Sequence, residues 1–195
     1  GRPDTHYYDL LASEARLASF FAIAKGDVPP EHWFHLGRPL RRVEGGAMLI
    51  SWNGSMFEYL MPRLLLKPDT GTLLGESERM VVDVQERYGR AQSVPWGISE
   101  SAYSARDPEH RYRYQGFGVP ELGLKRGLSR DMVVAPYATA LALAVAPKKA
   151  VANLRLLTRS GGSGRYGLVE ALDFTPDRSP GSGPQTVNAY MAHHQ

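Results

Sequence analysis

A chain of 195 residues, 43% hydrophobic and 10% aromatic, is long enough to bury a core and too apolar to be disordered throughout. Its 23 basic and 20 acidic side chains leave a formal charge of +3 and are interleaved without a long basic block, which argues against a nucleic-acid partner. Zero cysteines exclude a disulfide framework, a thiolate nucleophile and a Cys-based zinc site.

From Tyr7 to Lys25 the apolar spacing is helical, with Leu10, Leu17 and Phe21 on one stripe and Glu14 between them. Asp4 or Thr5 can cap this helix, and Lys25-Gly26 closes it before Pro29-Pro30. A short helical piece follows around Glu31–Leu36. Met48–Gly54 reads as an apolar approach to a loop, after which Ser55 and Glu58 have capping-box spacing for a helix through Leu66. Thr72 starts a long helix to about Gln92, with Leu74, Met80, Val81, Val84 and Tyr88 on its apolar face. Between Val94 and Arg126, scattered prolines and glycines among aromatics predict an irregular hairpin or long loop. Helices resume near Ala135–Ala146 and again from Pro147 to Arg159. The glycines at 161–164 break that helix, Arg165–Asp173 forms a short element, Pro176–Pro184 is a surface loop, and Thr186 caps a last helix. The apolar run around Val133–Ala146 is broken by Pro136 and too short to cross a bilayer, and no signal peptide opens the chain. These elements predict an all-α fold of stacked helix pairs in a single domain over 1–195, a segment of something longer cut at both ends.

A carboxylate on the apolar stripe of a helix must be paired, protonated or used, and a raised pKa is what a general acid needs near neutrality. The plainer reading of Glu14 is an ion pair with Arg16 or an arginine from another helix. A second carboxylate, Glu100, lies between Ser99 and Ser101 with Trp96 and Tyr103 nearby, the mixture of rings, hydroxyls and acid that a pyranose requires. Its plainer reading is a solvated loop glutamate. Two carboxylates on separate elements fit glycosidic chemistry, in which one protonates the leaving oxygen and the other attacks the anomeric carbon or activates water. Trp52, beside Asn53, suits a sugar platform or a core position equally, Glu58 is explained by its capping box, and Glu170 follows a glycine-rich loop and could line a pocket. His32 and His35 are three apart and His193-His194 sit together near the end, but the spacing lacks the carboxylate of a zinc-protease helix, so no metal is assigned, and Gly116-Phe117-Gly118 lacks the third glycine of a nucleotide loop.

Four blocks in order, Tyr7-Tyr8-Asp9-Leu10-Leu11-Ala12-Ser13-Glu14-Ala15-Arg16-Leu17-Ala18-Ser19-Phe20, Ser51-Trp52-Asn53-Gly54-Ser55-Met56-Phe57-Glu58-Tyr59-Leu60-Met61-Pro62, Trp96-Gly97-Ile98-Ser99-Glu100-Ser101-Ala102-Tyr103 and Tyr190-Met191-Ala192-His193-His194-Gln195, resemble the glucoamylase-like cyclisation domain of cyclic β-1,2-glucan synthases. The resemblance runs through essentially the whole chain. It implies part of an (α/α)6 barrel, a relation to bacterial endo-β-1,2-glucanases, and a retaining transglycosylation that cleaves linear β-1,2-glucan and joins the new end to its own distant hydroxyl. By position Glu14 matches the acid/base and Glu100 the nucleophile. Candidates for contact with the glucan are Tyr8, Arg16, Trp52, Trp96, Ser99, Ser101, Tyr103, Glu170, His193 and His194. No cofactor is implied. The expected partners are β-1,2-glucan and the other domains of a large synthase at the cytoplasmic face of the bacterial inner membrane. Simple endo-hydrolysis of the same glucan, and a non-catalytic carbohydrate-binding module, are the alternatives.

Overall fold

The computed structural model describes residues 9–181 and 183–194; Tyr7, Tyr8 and the expected cap at Asp4 or Thr5 lie outside that range. The first helix, α1, is shorter than its periodicity predicts and runs Ala15–Lys25, with Glu14 at its N-cap position. Leu10 is extended instead and bridges Gly37. Gly26, left-handed at φ 79°, ends α1. The buried residues of α1 are Arg16 and Ser19; of the expected apolar stripe Leu10 is buried outside the helix, Leu17 is half-buried and Phe21 is exposed.

Helix α2 (His32–His35) leads into an antiparallel hairpin of β1 (Leu40–Val43) and β2 (Gly46–Leu49). The capping box at Ser55 and Glu58 forms as expected and starts α3 (Met56–Leu60). The helix does not reach Leu66: Pro62 begins a single 3-10 turn, Pro62–Leu64. Thr72 caps α4 (Leu73–Ala91), its Oγ1 accepting from the Gly75 N–H at 3.1 Å, and α4 buries Met80, Val81 and Val84 together with Ser77, Glu78 and Gln85. The 94–126 region contains the expected irregular hairpin, β3 (Ser101–Arg106) against β4 (Tyr112–Gln115), with a register shift between Tyr103 and Arg106. Next come β5 (Val133–Val134), α5 (Pro136–Leu141) and α6 (Pro147–Leu157), the two helices each opened by the proline that suits a first turn. A small hairpin of β6 (Ser163–Gly164) and β7 (Gly167–Leu168) follows, and β8 (Ala171–Asp173) pairs with both β5 and β9 (Gln185–Val187).

The all-α expectation, and with it the partial (α/α)6 barrel, is therefore corrected. Nine strands in four antiparallel sheets stand among six helices in the described residues. Strands of two to four residues are too short to show a two-residue period, and Thr186, which reads as a helix cap, sits in β9.

The core gathers Met48, Leu49, Met56, Tyr59, Leu60, Val81, Ile98, Leu122, Val134 and Leu172, all essentially inaccessible. Arg16 is buried among them and joins α1 to α3 and α4. Its guanidinium donates to the Glu58 and Tyr59 carbonyls at 2.9 and 2.6 Å and pairs with Glu78 at 3.0 Å, while Arg63 reaches the other Glu78 oxygen at 2.7 Å. A second lock lies where the Asn53-Gly54 turn crosses the Gly118–Gly123 segment. A Cβ on Gly118 would sit 1.8 Å from the Asn53 carbonyl oxygen, so only glycine lets the two backbones meet there.

Candidate active site

The loop that presents Trp52 is built around the Glu58 carboxylate. That group is buried and accepts from the Ser51 and Ser55 hydroxyls at 2.9 and 2.8 Å and from the backbone N–H groups of Trp52, Asn53 and Ser55 at 3.1, 3.1 and 2.9 Å. Held this way, Trp52 leaves 48% of its surface exposed and aims its indole N–H at buried Asp9. The Ser13 hydroxyl lies 3.1 Å from Asp9 and 3.3 Å from Glu14, so a polar chain runs from the Trp52 ring to the Glu14 carboxyl.

Glu14 is half-buried at the head of α1 and its carboxyl is raised above the ordinary carboxylate range. Burial is the main cause, its own backbone N–H works against it, and the charges of Glu58 and Glu100 push it further up. The adjacent guanidinium does not hold it, because Arg16 is spent on Glu78 and backbone carbonyls. Along α1 beside Glu14 opens a groove of about 620 Å³ lined by Leu17, Ala18, His32 and Met61.

Glu100 immediately precedes β3. Antiparallel pairing sets Ala102 opposite Tyr114, which carries the Tyr114 hydroxyl back to the Glu100 carboxylate at 2.8 Å. Burial, the bond to Glu100 and the charges of Glu100, Glu170 and Glu14 keep the Tyr114 phenol far above its usual range, so it remains a donor. Tyr137 fixes the Glu100 backbone from below, its hydroxyl 2.8 Å from both the Glu100 carbonyl and Ser99 Oγ. Its ring stacks on His194 at 3.7 Å between centroids. Buried His194 bonds through Nδ1 to Glu170 at 2.9 Å, and Glu170 also accepts from the Ala102 N–H at 3.1 Å. Ser101 Oγ, Glu170 Oε2 and His194 Nε2 are buried without a hydrogen-bond partner among the described residues. A cavity of about 170 Å³ opens between Tyr137, Leu168, Glu170 and His194.

Of the residues singled out from the sequence, Glu14, Glu100, Glu170, His193 and His194 thus gather around Tyr114. Others stand elsewhere. Arg16 is an interior tie, and Ser99 is buried, accepting from the Phe57 N–H at 3.0 Å. Trp96 is buried, with its backbone held by Asn153, and faces the groove between α4 and α6. Tyr103 packs edge-on against Phe117 and under the Arg178 guanidinium. Tyr8 is outside the described residues. His32 meets Ser19 Oγ at 3.2 Å; the grouping with metal-ligand spacing is Glu100, His193 and His194. Asp9, Tyr114 and Tyr137 were not legible as site residues. Asp9 lies inside the first of the resembling blocks, while Tyr114 and Tyr137 reach Glu100 only through strand pairing and the packing of α5.

Known proteins resemble this chain in sequence or in fold. The cyclic β-(1,2)-glucan synthase NdvB of Rhizobium meliloti is 53% identical over 192 residues, 98% of this chain but 7% of the synthase. A crystal structure described as a putative glucoamylase from Bacteroides caccae superposes with a TM-score of 0.61 at 19% identity, over 90% of this chain and 45% of that one. An endo-β-1,2-glucanase from Chitinophaga pinensis, in complex with sophorotriose and glucose, gives 0.54 at 16% identity, over 82% of this chain and 41% of that one. Among the described residues no helix is long and apolar enough to cross a membrane. The Glycoamylase family, described as putative glucoamylase, matches residues 6–195, and the chain belongs to that family.

Proposed function

We propose that this chain carries the two reacting carboxylates of a β-1,2-glucan-processing domain of glycoside-hydrolase type, with Glu14 as acid/base and Glu100 as nucleophile. The reading rests on one observation: a half-buried carboxyl raised above its ordinary range feels the charge of a second carboxylate that a tyrosine hydroxyl holds in position. Glu14 would give its proton to the glycosidic oxygen while Glu100 attacks the anomeric carbon. A sugar hydroxyl would then displace Glu100 and return its proton to Glu14. Trp52 offers an exposed ring for a glucosyl face, and Glu170, His193 and His194 offer polar contacts beyond Glu100.

The synthase relative, of which this chain covers 7%, favours a hydroxyl of the same glucan as acceptor, hence cyclisation within a longer enzyme, which we place at the cytoplasmic face of the inner membrane. The endo-β-1,2-glucanase neighbour favours water as acceptor and is the second reading. Incubation with linear β-1,2-glucan and mass analysis separates them, because a cyclic product is one water lighter than the linear chain of equal length. Linear fragments alone reject cyclisation. Binding of the glucan without turnover, unchanged in Glu14→Gln, leaves a carbohydrate-binding module.

A further inference from the structure

We infer that Glu100, His193 and His194 form a binding site for a borderline divalent transition metal of the zinc class. One ligand atom from each of the three lies within 4.8 Å of the other two. Zinc bonds of about 2.0–2.2 Å bring ligands closer than that, and exposed His193 has the freedom to close the gap. The independent observation is His194. Its side chain is 1% exposed, its Nδ1 is committed to Glu170, and its Nε2 is buried with no hydrogen-bond partner among the described residues. A carboxylate on the far nitrogen of an imidazole fixes the tautomer, turns the other lone pair outward and strengthens it as a ligand, which is the usual support of a metal-bound histidine. Stacking on Tyr137 at 3.7 Å holds the ring in that orientation.

The surroundings suit a cation. The carboxylates of Glu100 and Glu170 both bond to members of the cluster or its neighbours, at 2.8 Å to the Tyr114 hydroxyl and 2.9 Å to His194, while Arg16 is turned to Glu78. Two imidazoles and one carboxylate select zinc-like ions over magnesium or calcium, which prefer oxygen. Three protein ligands leave a coordination position open. The metal takes a Glu100 oxygen, so it excludes any substrate that needs that carboxylate.

Calorimetric titration of the chain with ZnCl2, without sugar, tests the site independently of any glucan activity. The expected result is one saturable equivalent with no matching heat from MgCl2. His193→Ala, at an exposed position that leaves the core intact, and Glu100→Gln should each weaken Zn2+ at least about tenfold, and the isosteric Glu170→Gln about 10- to 100-fold through loss of its support to His194. Absence of saturable binding, or wild-type affinity in both His193→Ala and Glu100→Gln, overturns the assignment.

Discussion

Glu58 and Glu14 are both acidic side chains withdrawn from water within one small region, yet they are treated oppositely. Glu58 is saturated, taking hydroxyl and N–H donors from Ser51, Trp52, Asn53 and Ser55. Glu14 has a long contact from Ser13 at 3.3 Å and two neighbouring negative charges. Saturation makes the Glu58 carboxylate an organiser of backbone. Burial and like charge favour the proton on Glu14, as the proposed acid role requires.

The largest effect that would break this contrast is on stability. Glu58→Ala strands several buried donors at once and should cost about 3 kcal/mol or more, since each orphaned buried group costs about 1–3 kcal/mol. Urea denaturation measures it, and near-wild-type stability would mean that Glu58 does not organise the loop. Glu14→Gln should do the reverse, lowering turnover of β-1,2-glucan about 10²- to 10⁴-fold, the usual contribution of a general acid, with the fold retained.

Its pH dependence sharpens the point. A folded-state pKa raised above the unfolded value gives stability that is full below the unfolded pKa, ordinarily near 4.5, and is lost as pH rises through the folded value. Glu14→Gln removes that loss, so the stability gap between variant and wild type should move in the variant's favour from pH 4 to pH 7. Paired denaturation curves at the two pH values check the sign. Next in size, Tyr114→Phe removes the hydroxyl bonded to Glu100 and should lower turnover about 10- to 100-fold, as expected for a hydrogen bond to a charged group, while leaving the melting temperature nearly unchanged. The smallest effect is Trp52→Ala, which should raise the KM for glucan about tenfold, the value of one stacked ring, with little change in stability because the ring is half exposed.

What the sequence disclosed follows the range of the interactions. The Ser55–Glu58 box and the Thr72 cap act over three residues, and both formed where their spacing predicts. Glu14 is conspicuous in the sequence as an acid on an apolar stripe, although it sits at the N-cap of α1, and Glu100 as an acid beside rings and hydroxyls. Arg16 reaches the nearby Ser13 carbonyl, but the Glu58 and Tyr59 carbonyls and the Glu78 carboxylate that hold it in the interior are 42 to 62 residues away, so its burial is not marked in the local sequence. The same holds for Glu170 and His194, which are 24 residues apart. Strands of two or three residues, such as β5 and β9, are specified by β8 more than by their own pattern.

The crossing of Asn53-Gly54 with the Gly118–Gly123 segment limits how this protein can change. Because Gly118 admits no larger side chain beside the Asn53 carbonyl, the two stretches must vary together or not at all. A change at the half-exposed Trp52 ring leaves that crossing untouched, whereas any side chain at Gly118 has to push the Asn53 backbone, and with it the loop that carries Trp52, out of place.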